Sequence, residues 1–315
     1  MASENDSEYL GHFIDVNQLV FASMIQSCEA HALPIFLRMW NQRTTAITAK
    51  EVKIQVNAIV ALVRASSAIT GGRKGRWWER NGFAKAYLSR SQHIVIGSIR
   101  ESAASTPSVE ELKAFPAAEG SKLLLVTIES TSPTDPQQAL QVVKSEGIEH
   151  LDIVIANAGG SPLPTTPLDR VTAEEMTTTY QVNAIGPLML FQACRPLLQK
   201  SSKPKWVSIS TGGGSITLMG RIRSWDGTSY AAAKASLNWL TRAIHFTNEW
   251  LVAVVLNPGL VQTEQGNWIA KEWGLGKATY TIEESVEGMM KIIDGATRDE
   301  VSGEFFNLKN DKLPW

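Results

Sequence analysis

Short apolar runs alternate with helical stretches through most of this 315-residue chain, from about residue 68 onward. Alternation of this kind is typical of a parallel β-sheet whose strands are joined by crossover helices. We place strands at 93–97, 122–128, 151–156, 206–210, 251–256 and 304–307. The sequence therefore predicts an α/β fold with a doubly wound, Rossmann-like parallel sheet of about seven strands.

Helix starts are marked by the pattern S/T-x-x-E, in which a hydroxyl and a carboxylate pair with otherwise free backbone amides. The pattern begins at Ser108, Thr172 and Thr281. Residues 1–66 follow no such plan and contain no repeat or motif, although an apolar run covers 59–63. We therefore expect an N-terminal extension of uncertain structure at 1–66. The Rossmann-like domain is expected at 67–315, with a thin first strand at 66–69.

The composition excludes several classes of function. With 19% charged residues and a net charge of -1, the chain has no electrostatic footprint for nucleic acid or an anionic membrane. No apolar run reaches the eighteen or so residues of a spanning helix, and the N-terminus is not a signal peptide, so we expect a cytoplasmic protein. Two distant cysteines, Cys28 and Cys194, and five histidines have no metal-ligand spacing. We expect no metal site.

Tyr230 and Lys234 are the first candidates for catalysis. Residues at i and i+4 lie on one face of a helix, close enough for an ammonium to favour the phenolate and lower the tyrosine pKa. Such a tyrosine is a usable proton donor near neutral pH. The pair alone is a weak signal, because Tyr and Lys recur at this spacing on many solvated helices.

Other motifs accompany this pair in a fixed order. They are the glycine-rich stretch 70–75, the segment 156–159, Asn183, and Pro258-Gly259 with Thr263. Together they resemble the short-chain dehydrogenase/reductase family, whose pattern is TGxxxGxG, NNAG, Asn, Ser, YxxxK and PG. Within that family, 148–159 and the ending 302–307 with 314–315 are similar to fungal ketoreductases of the norsolorinic acid ketoreductase type.

The resemblance implies a dinucleotide site. Its glycine-rich turn lets backbone amides approach a pyrophosphate, and a guanidinium at the end of the second strand suits the 2′-phosphate of NADP(H) rather than NAD. Glu129 stands near the expected position of the adenine. The implied cofactor residues are Thr70, Gly71, Arg73, Lys74, Gly75, Arg100, Glu129, Asn157, Ala158, Gly159, Tyr230, Lys234, Pro258, Gly259 and Thr263.

The resemblance also implies catalytic roles. Tyr230 would protonate the carbonyl oxygen of a substrate, and Lys234 would lower the Tyr230 pKa and hold the nicotinamide ribose. Asn183 would kink its helix and keep a water relay to Lys234. Thr211 stands where the family has its serine and would polarise the carbonyl, whereas strand alternation turns Ser210 the other way.

The expected function is NADP-dependent reduction of a ketone, or oxidation of the alcohol, in secondary metabolism. The expected substrate is a hydrophobic small molecule, with polyketide-derived molecules as one class. The loops 212–228 and 268–280 would cover this substrate. A homo-oligomer is left open. The alternative is a catalytically impaired dinucleotide-binding or partner-binding protein, because the insertion at 76–81 interrupts the glycine pattern before the family-like helix resumes at Gly82.

Overall fold

The computed structural model of this chain describes residues 57–61, 78–100, 103–222 and 224–315. These residues form a seven-stranded sheet in the order β3-β2-β1-β4-β5-β6-β7, with every pair of neighbours parallel. This order confirms the doubly wound Rossmann-like fold. The strands are β1 (Asn57–Ala61), β2 (His93–Ile99), β3 (Lys122–Thr127), β4 (Ile153–Ala156), β5 (Lys205–Ile209), β6 (Val252–Asn257) and β7 (Phe305–Asn307).

Helices connect the strands and cover both faces of the sheet. A π-helical segment, Gln181–Ile185, joins two of them, and short 3₁₀ turns span Gly212–Gly214 and Ser224–Gly227. The α-helices are α1 (Trp78–Leu88), α2 (Pro107–Lys113), α3 (Asp135–Ser145), α4 (Ala173–Tyr180), α5 (Gly186–Leu198), α6 (Met219–Ile222), α7 (Thr228–Thr247), α8 (Glu264–Glu272) and α9 (Ile282–Gly295).

Burial on both faces explains the apolar runs of the central strands. All four residues of β4 are buried, as expected for a parallel sheet between two helical layers. On one face, Tyr87 of α1 and Ile293 of α9 pack in a core that includes Ile155. On the other face, α3, α5 and α7 pack in a second core with Trp206 at its centre. The sheet is thereby held rigid from both sides.

The first strand lies earlier in the chain than the sequence predicts. β1 is Asn57–Ala61, and its Ile59 pairs with Val95 of β2 and Ile153 of β4. The expected strand at 66–69 lies outside the described residues. The sheet therefore begins before the expected domain boundary between residues 66 and 67. The apolar run 59–63 was the signal for this strand, and its position is decided by pairing with two strands distant in sequence.

The helix that follows also begins earlier than expected. α1 starts at Trp78, so 78–81 is helical rather than an interruption before Gly82. Asn81 is buried, and its Nδ2 donates a hydrogen bond to the Ser108 main-chain oxygen at 2.9 Å. The prediction that the family-like helix resumes only at Gly82 is therefore wrong. Residues 76 and 77 lie outside the described part of the chain.

The three predicted helix starts have three different outcomes. Thr281 and Glu284 form a complete reciprocal capping box at the start of α9. Thr172 caps α4, accepting from the Glu175 backbone N–H, but the Glu175 carboxylate is used elsewhere. The prediction at Ser108 is wrong, because α2 already begins at Pro107. Proline suits the first helical position, since its φ is preset and its missing N–H is not needed there.

Candidate active site

The carboxyl ends of the parallel strands bring the predicted site residues to one edge of the sheet. The order of the strands reverses between β1 and β4, and ligands bind in the crevice at such a switch point. Residues that follow the strands at this edge are Arg100 after β2, Glu129 after β3, Asn157 to Gly159 after β4, Thr211 after β5 and Pro258 to Gly259 after β6. The predicted residues Thr70, Gly71, Arg73, Lys74 and Gly75 lie outside the described residues.

Tyr230 and Lys234 occupy the first two turns of α7. The Lys234 Nζ lies 5.7 Å from the centroid of the Tyr230 ring. Lys234 is almost completely buried, and its Nζ donates a hydrogen bond to the main-chain oxygen of Ile209 at 2.7 Å. The helix thus places an amine beside the phenol, inside the protein and at the end of β5.

Burial changes the proton affinity of this amine. Desolvation of the charged form lowers the pKa of Lys234 from its ordinary 10.5 to about 7. An amine with this pKa changes its charge near neutral pH. Groups that titrate in this range are suited to acid–base chemistry, since proton transfer is most efficient when the pKa lies near the operating pH.

Asn183 lies at the middle of the π-helical segment between α4 and α5. Its side chain is completely buried. The Oδ1 accepts from the Gly160 N–H at 3.0 Å, while the Nδ2 donates to the oxygens of Gly160 and Thr179, each at 2.9 Å. π-Helical segments within α-helices are frequent at functional sites. Asn183 thus lies in a π-helical segment, whereas the kink of its helix and the water relay to Lys234 stay predictions.

Gly159 leaves the space in which these side chains meet. A Cβ atom at this position would lie 2.7 Å from the Asn183 Oδ1 and 3.1 Å from the Lys234 Nζ. Contacts this short require the neighbouring atoms to shift. The absence of a side chain at Gly159 is thus what allows the amine, the amide and the loop after β4 to come together.

The two hydroxyls at the end of β5 have different surroundings. Ser210 is buried, and its Oγ donates to the Asn238 Oδ1 at 2.6 Å. Thr211 is half-buried and extended, and its Oγ1 accepts from the Gly213 N–H at 3.2 Å. Ser210 therefore holds β5 against α7, and the Thr211 hydroxyl retains a proton to donate.

The turn after β6 is built by close packing. Gly259 has a φ of +77°, and a Cβ there would lie 2.7 Å from side-chain atoms of both Tyr280 and Leu308. Ser285 of α9 donates to the Pro258 oxygen at 2.8 Å. Thr263 caps α8 by accepting from the Gly266 N–H at 2.9 Å. These contacts fix the backbone of the turn that follows β6.

Arg100 provides a test of whether the site suits an anion. Its side chain is 8% exposed, and the Nε has no hydrogen-bond partner. An unsatisfied buried donor on a charged group is costly. A phosphate at this position would accept from the guanidinium and remove that cost. This orphaned donor fits the phosphate of a phosphorylated dinucleotide.

Glu175 was missed as a site residue. Its Oε2 accepts from the Thr166 hydroxyl at 2.6 Å, and its Oε1 accepts from the Ser229 hydroxyl at 2.7 Å. Ser229 directly precedes Tyr230. No local pattern indicates these contacts, because Glu175 also has the sequence position of a capping-box carboxylate.

The segments expected over the substrate are short helices and turns. Ile216 and Met219, after β5, are 73% and 42% exposed, and Trp273, after α8, is 50% exposed. The Ser215 Oγ donates to the Pro314 oxygen at 2.7 Å, so residues near the end of the chain hold the first of these segments. Apolar side chains are thus exposed on the segments that were expected to cover the substrate.

Within the described ranges, three or more His, Cys, Asp or Glu side chains nowhere gather as metal ligands would. Burial raises the pKa of the Cys194 thiol to about 12, so little thiolate forms at neutral pH. Nor does any helix in these ranges combine the length and hydropathy required to cross a bilayer.

Comparison with known proteins gives a consistent result. The short chain dehydrogenase family matches residues 68–272. The short-chain dehydrogenase srdF of Neurospora crassa is 51% identical over 238 residues, which cover 74% of this chain and 92% of that protein. Norsolorinic acid ketoreductase of Aspergillus parasiticus is 36% identical over 254 residues, which cover 78% and 90%.

The fold has counterparts among solved structures. NADPH-bound carbonyl reductase from chicken fatty liver superposes with a TM-score of 0.66 at 27% identity, covering 82% of this chain and 99% of that one. The family match, the relatives and the fold agree on one family. The chain belongs to the short-chain dehydrogenase/reductase family, within which it resembles the norsolorinic acid ketoreductases.

Proposed function

We propose that this protein reduces a ketone on a hydrophobic small molecule of secondary metabolism, with NADPH as its cofactor. The observation that carries the proposal is the buried Lys234 amine beside Tyr230, with Asn183 and Gly159 around it. A relative that is named a norsolorinic acid ketoreductase and a similar fold that was solved with NADPH support it.

Each residue of the site has a role in this chemistry. The Tyr230 hydroxyl gives its proton to the carbonyl oxygen, and the Lys234 ammonium stabilises the phenolate that remains. The Thr211 hydroxyl donates a hydrogen bond to the same oxygen. Asn183 holds the loop after β4 through Gly160, and it keeps a water relay to Lys234. NADPH, when bound, supplies the hydride.

The proposed cofactor residues have separate roles. Thr70, Gly71 and Gly75 are assigned to the pyrophosphate, and Arg73, Lys74 and Arg100 to the 2′-phosphate. Glu129 and the segment 157–159 contact the adenosine, and Pro258, Gly259 and Thr263 line the nicotinamide. The unpartnered Nε of Arg100 is the structural support for this choice of dinucleotide.

Dinucleotide preference is tested by fluorescence titration with NADPH and NADH. The unmodified protein should bind NADPH at least about tenfold more tightly, since one charge-assisted hydrogen bond contributes about 1.5 to 3 kcal/mol. Arg100→Asp should erase or reverse this preference, and Arg170→Asp, at an exposed arginine, should leave it unchanged. Equal affinities in the unmodified protein would refute the assignment.

The alternative, an impaired dinucleotide-binding or partner-binding protein, has less support. It rested on an interruption at 76–81, and the backbone is already helical from Trp78. The relatives are named as dehydrogenases and ketoreductases. NADPH binding without consumption, across a panel of aromatic and aliphatic ketones, would favour this alternative over the reductase.

Substrate and assembly are proposed on the apolar surface. Ile216, Met219 and Trp273 favour a hydrophobic ketone over a small polar one.

Trp239 and Phe246 are 70% and 65% exposed on α7, which favours a homo-oligomer that covers them. Sedimentation of the unmodified protein and of Trp239→Ser measures this second point, and a monomer at every concentration would contradict it.

A further inference from the structure

Glu175 connects three parts of the site region. It lies in the first turn of α4, where its backbone N–H donates to the Thr172 hydroxyl. Both carboxylate oxygens accept from hydroxyls of other elements, Thr166 in the loop after β4 and Ser229 at the start of α7. Hydrogen bonds from hydroxyls to a carboxylate are about twice as strong as neutral ones. Glu175 therefore fastens the loop to the helix that carries Tyr230.

The loop after β4 is held at two points. Asn183 binds both the N–H and the oxygen of Gly160, and Glu175 binds Thr166. The intervening segment, 161–165, thus runs from the residue held by Asn183 to the residue held by Glu175, which also binds Ser229. It carries the half-buried apolar side chains of Pro162 and Leu163. The Thr165 Cγ2 lies 3.8 Å from the place of a Cβ at Gly227, next to the start of the helix that carries Tyr230 and Lys234.

We infer that Glu175 is a positioning residue that holds the segment 161–165 as one wall of the ketone pocket. That the ligand of this pocket is a ketone rests on the proposed function. The tether, formed by the hydrogen bonds of Glu175 to Thr166 and Ser229, does not depend on that function. Asn183 secures the cofactor end of the loop independently. Loss of the Glu175 contacts therefore releases the wall toward the substrate and leaves the dinucleotide site in place.

The test uses two readouts on the full chain. Hydrogen exchange of 161–168 is measured without ketone, and the KM for a ketone and the Kd for NADPH are measured separately. Glu175→Ala should speed exchange in this segment and raise the KM about tenfold, since two hydrogen bonds are lost. The NADPH Kd should stay within about twofold. Glu174→Gln, at the exposed neighbouring carboxylate, should change none of these.

A second variant guards against a folding defect in Glu175→Ala. Thr166→Val keeps the shape of the side chain and removes only the donor from the loop, so it should produce part of the same KM and exchange effects. Adding Glu175→Gln to Thr166→Val should then cost less than the two single changes together.

Each outcome decides a stated part of the inference. Unchanged exchange in both the Glu175→Ala and Thr166→Val variants would overturn the tether. A loss of NADPH affinity as large as the rise in KM would overturn the separation between wall and cofactor site. If the unmodified protein reduces no ketone, both the proposed function and the assignment of 161–165 to a ketone pocket are refuted. The hydrogen-exchange result would still show whether Glu175 tethers the loop.

Discussion

Replacing Lys234 by methionine should stabilise the fold while it removes the proposed catalytic amine. The side chain is buried, and its pKa falls from 10.5 to about 7 because the charged form loses its hydration. Methionine has a similar length and no charge to desolvate. We therefore expect the Lys234 amine, which the proposed function requires, to lower the free energy of unfolding.

The free-energy cost of burying the charged Lys234 amine depends on pH, and this dependence gives the sign of the stability change expected for Lys234→Met. Between pH 7 and 10.5 the unfolded chain binds more protons than the folded one, so stability rises with pH through this window. The cost is complete below pH 7 and absent above pH 10.5. At about 1.36 kcal/mol per pKa unit it amounts to about 5 kcal/mol at about pH 6 and about 2 kcal/mol at about pH 9.

Methionine also loses the hydrogen bond to the Ile209 oxygen, which costs about 1 to 3 kcal/mol at either pH. The Lys234→Met variant should thus be about 2 to 4 kcal/mol more stable at about pH 6 and close to the parent at about pH 9. The change between the two pH values, about 3 kcal/mol, does not depend on the hydrogen-bond term.

Urea unfolding of both proteins at the two pH values measures this change. Lys271→Met, at an exposed lysine, is the matched control and should alter stability little at either pH. If the stability difference between Lys234→Met and the parent were the same at both pH values, the amine would carry no desolvation cost and the reasoning would be wrong.

Two further predictions concern the same site. Tyr230→Phe should lower ketone reduction by at least about a hundredfold and leave NADPH binding near normal, as expected for a positioned general acid; Tyr180→Phe is the control, and a loss of only a few-fold would contradict the mechanism. Gly159→Ala places a Cβ 2.7 Å from the Asn183 Oδ1 and should destabilise the fold by about 1 to 3 kcal/mol. Gly160→Ala should be tolerated, because nothing lies within 4 Å of its Cβ; equal stability losses in urea would sink the steric argument.

The sequence predicted the strands whose apolar runs are typical of a parallel sheet between two helical layers. β2 to β7 lie within a few residues of their predicted positions. The first strand was placed at 66–69 instead of Asn57–Ala61, since the choice followed the glycine motif. Two neighbouring strands decide that position, and a local pattern contains no information about them.

The candidate site, like the fold, could be predicted from the sequence only in part. Of the residues named by motif, Lys234 and Asn183 lie against Gly159, and the Lys234 Nζ lies 5.7 Å from the centroid of the Tyr230 ring. Glu175 was not predicted, because its two hydroxyl partners are 9 and 54 residues away in sequence. Its carboxylate accepts these two tertiary hydrogen bonds instead of the backbone hydrogen bond of a capping box.

The π-helical segment Gln181–Ile185 has an evolutionary consequence. A π-turn contains one residue more than the α-turn it replaces. Deletion of a single codon within the segment would restore a regular α-helix and leave the helices on either side in their present orientation, while the residues inside the segment would change direction. Asn183 would then no longer face Gly160, while the backbone hydrogen bonds of the helix would remain. A descendant could therefore lose this site in one step and keep the fold.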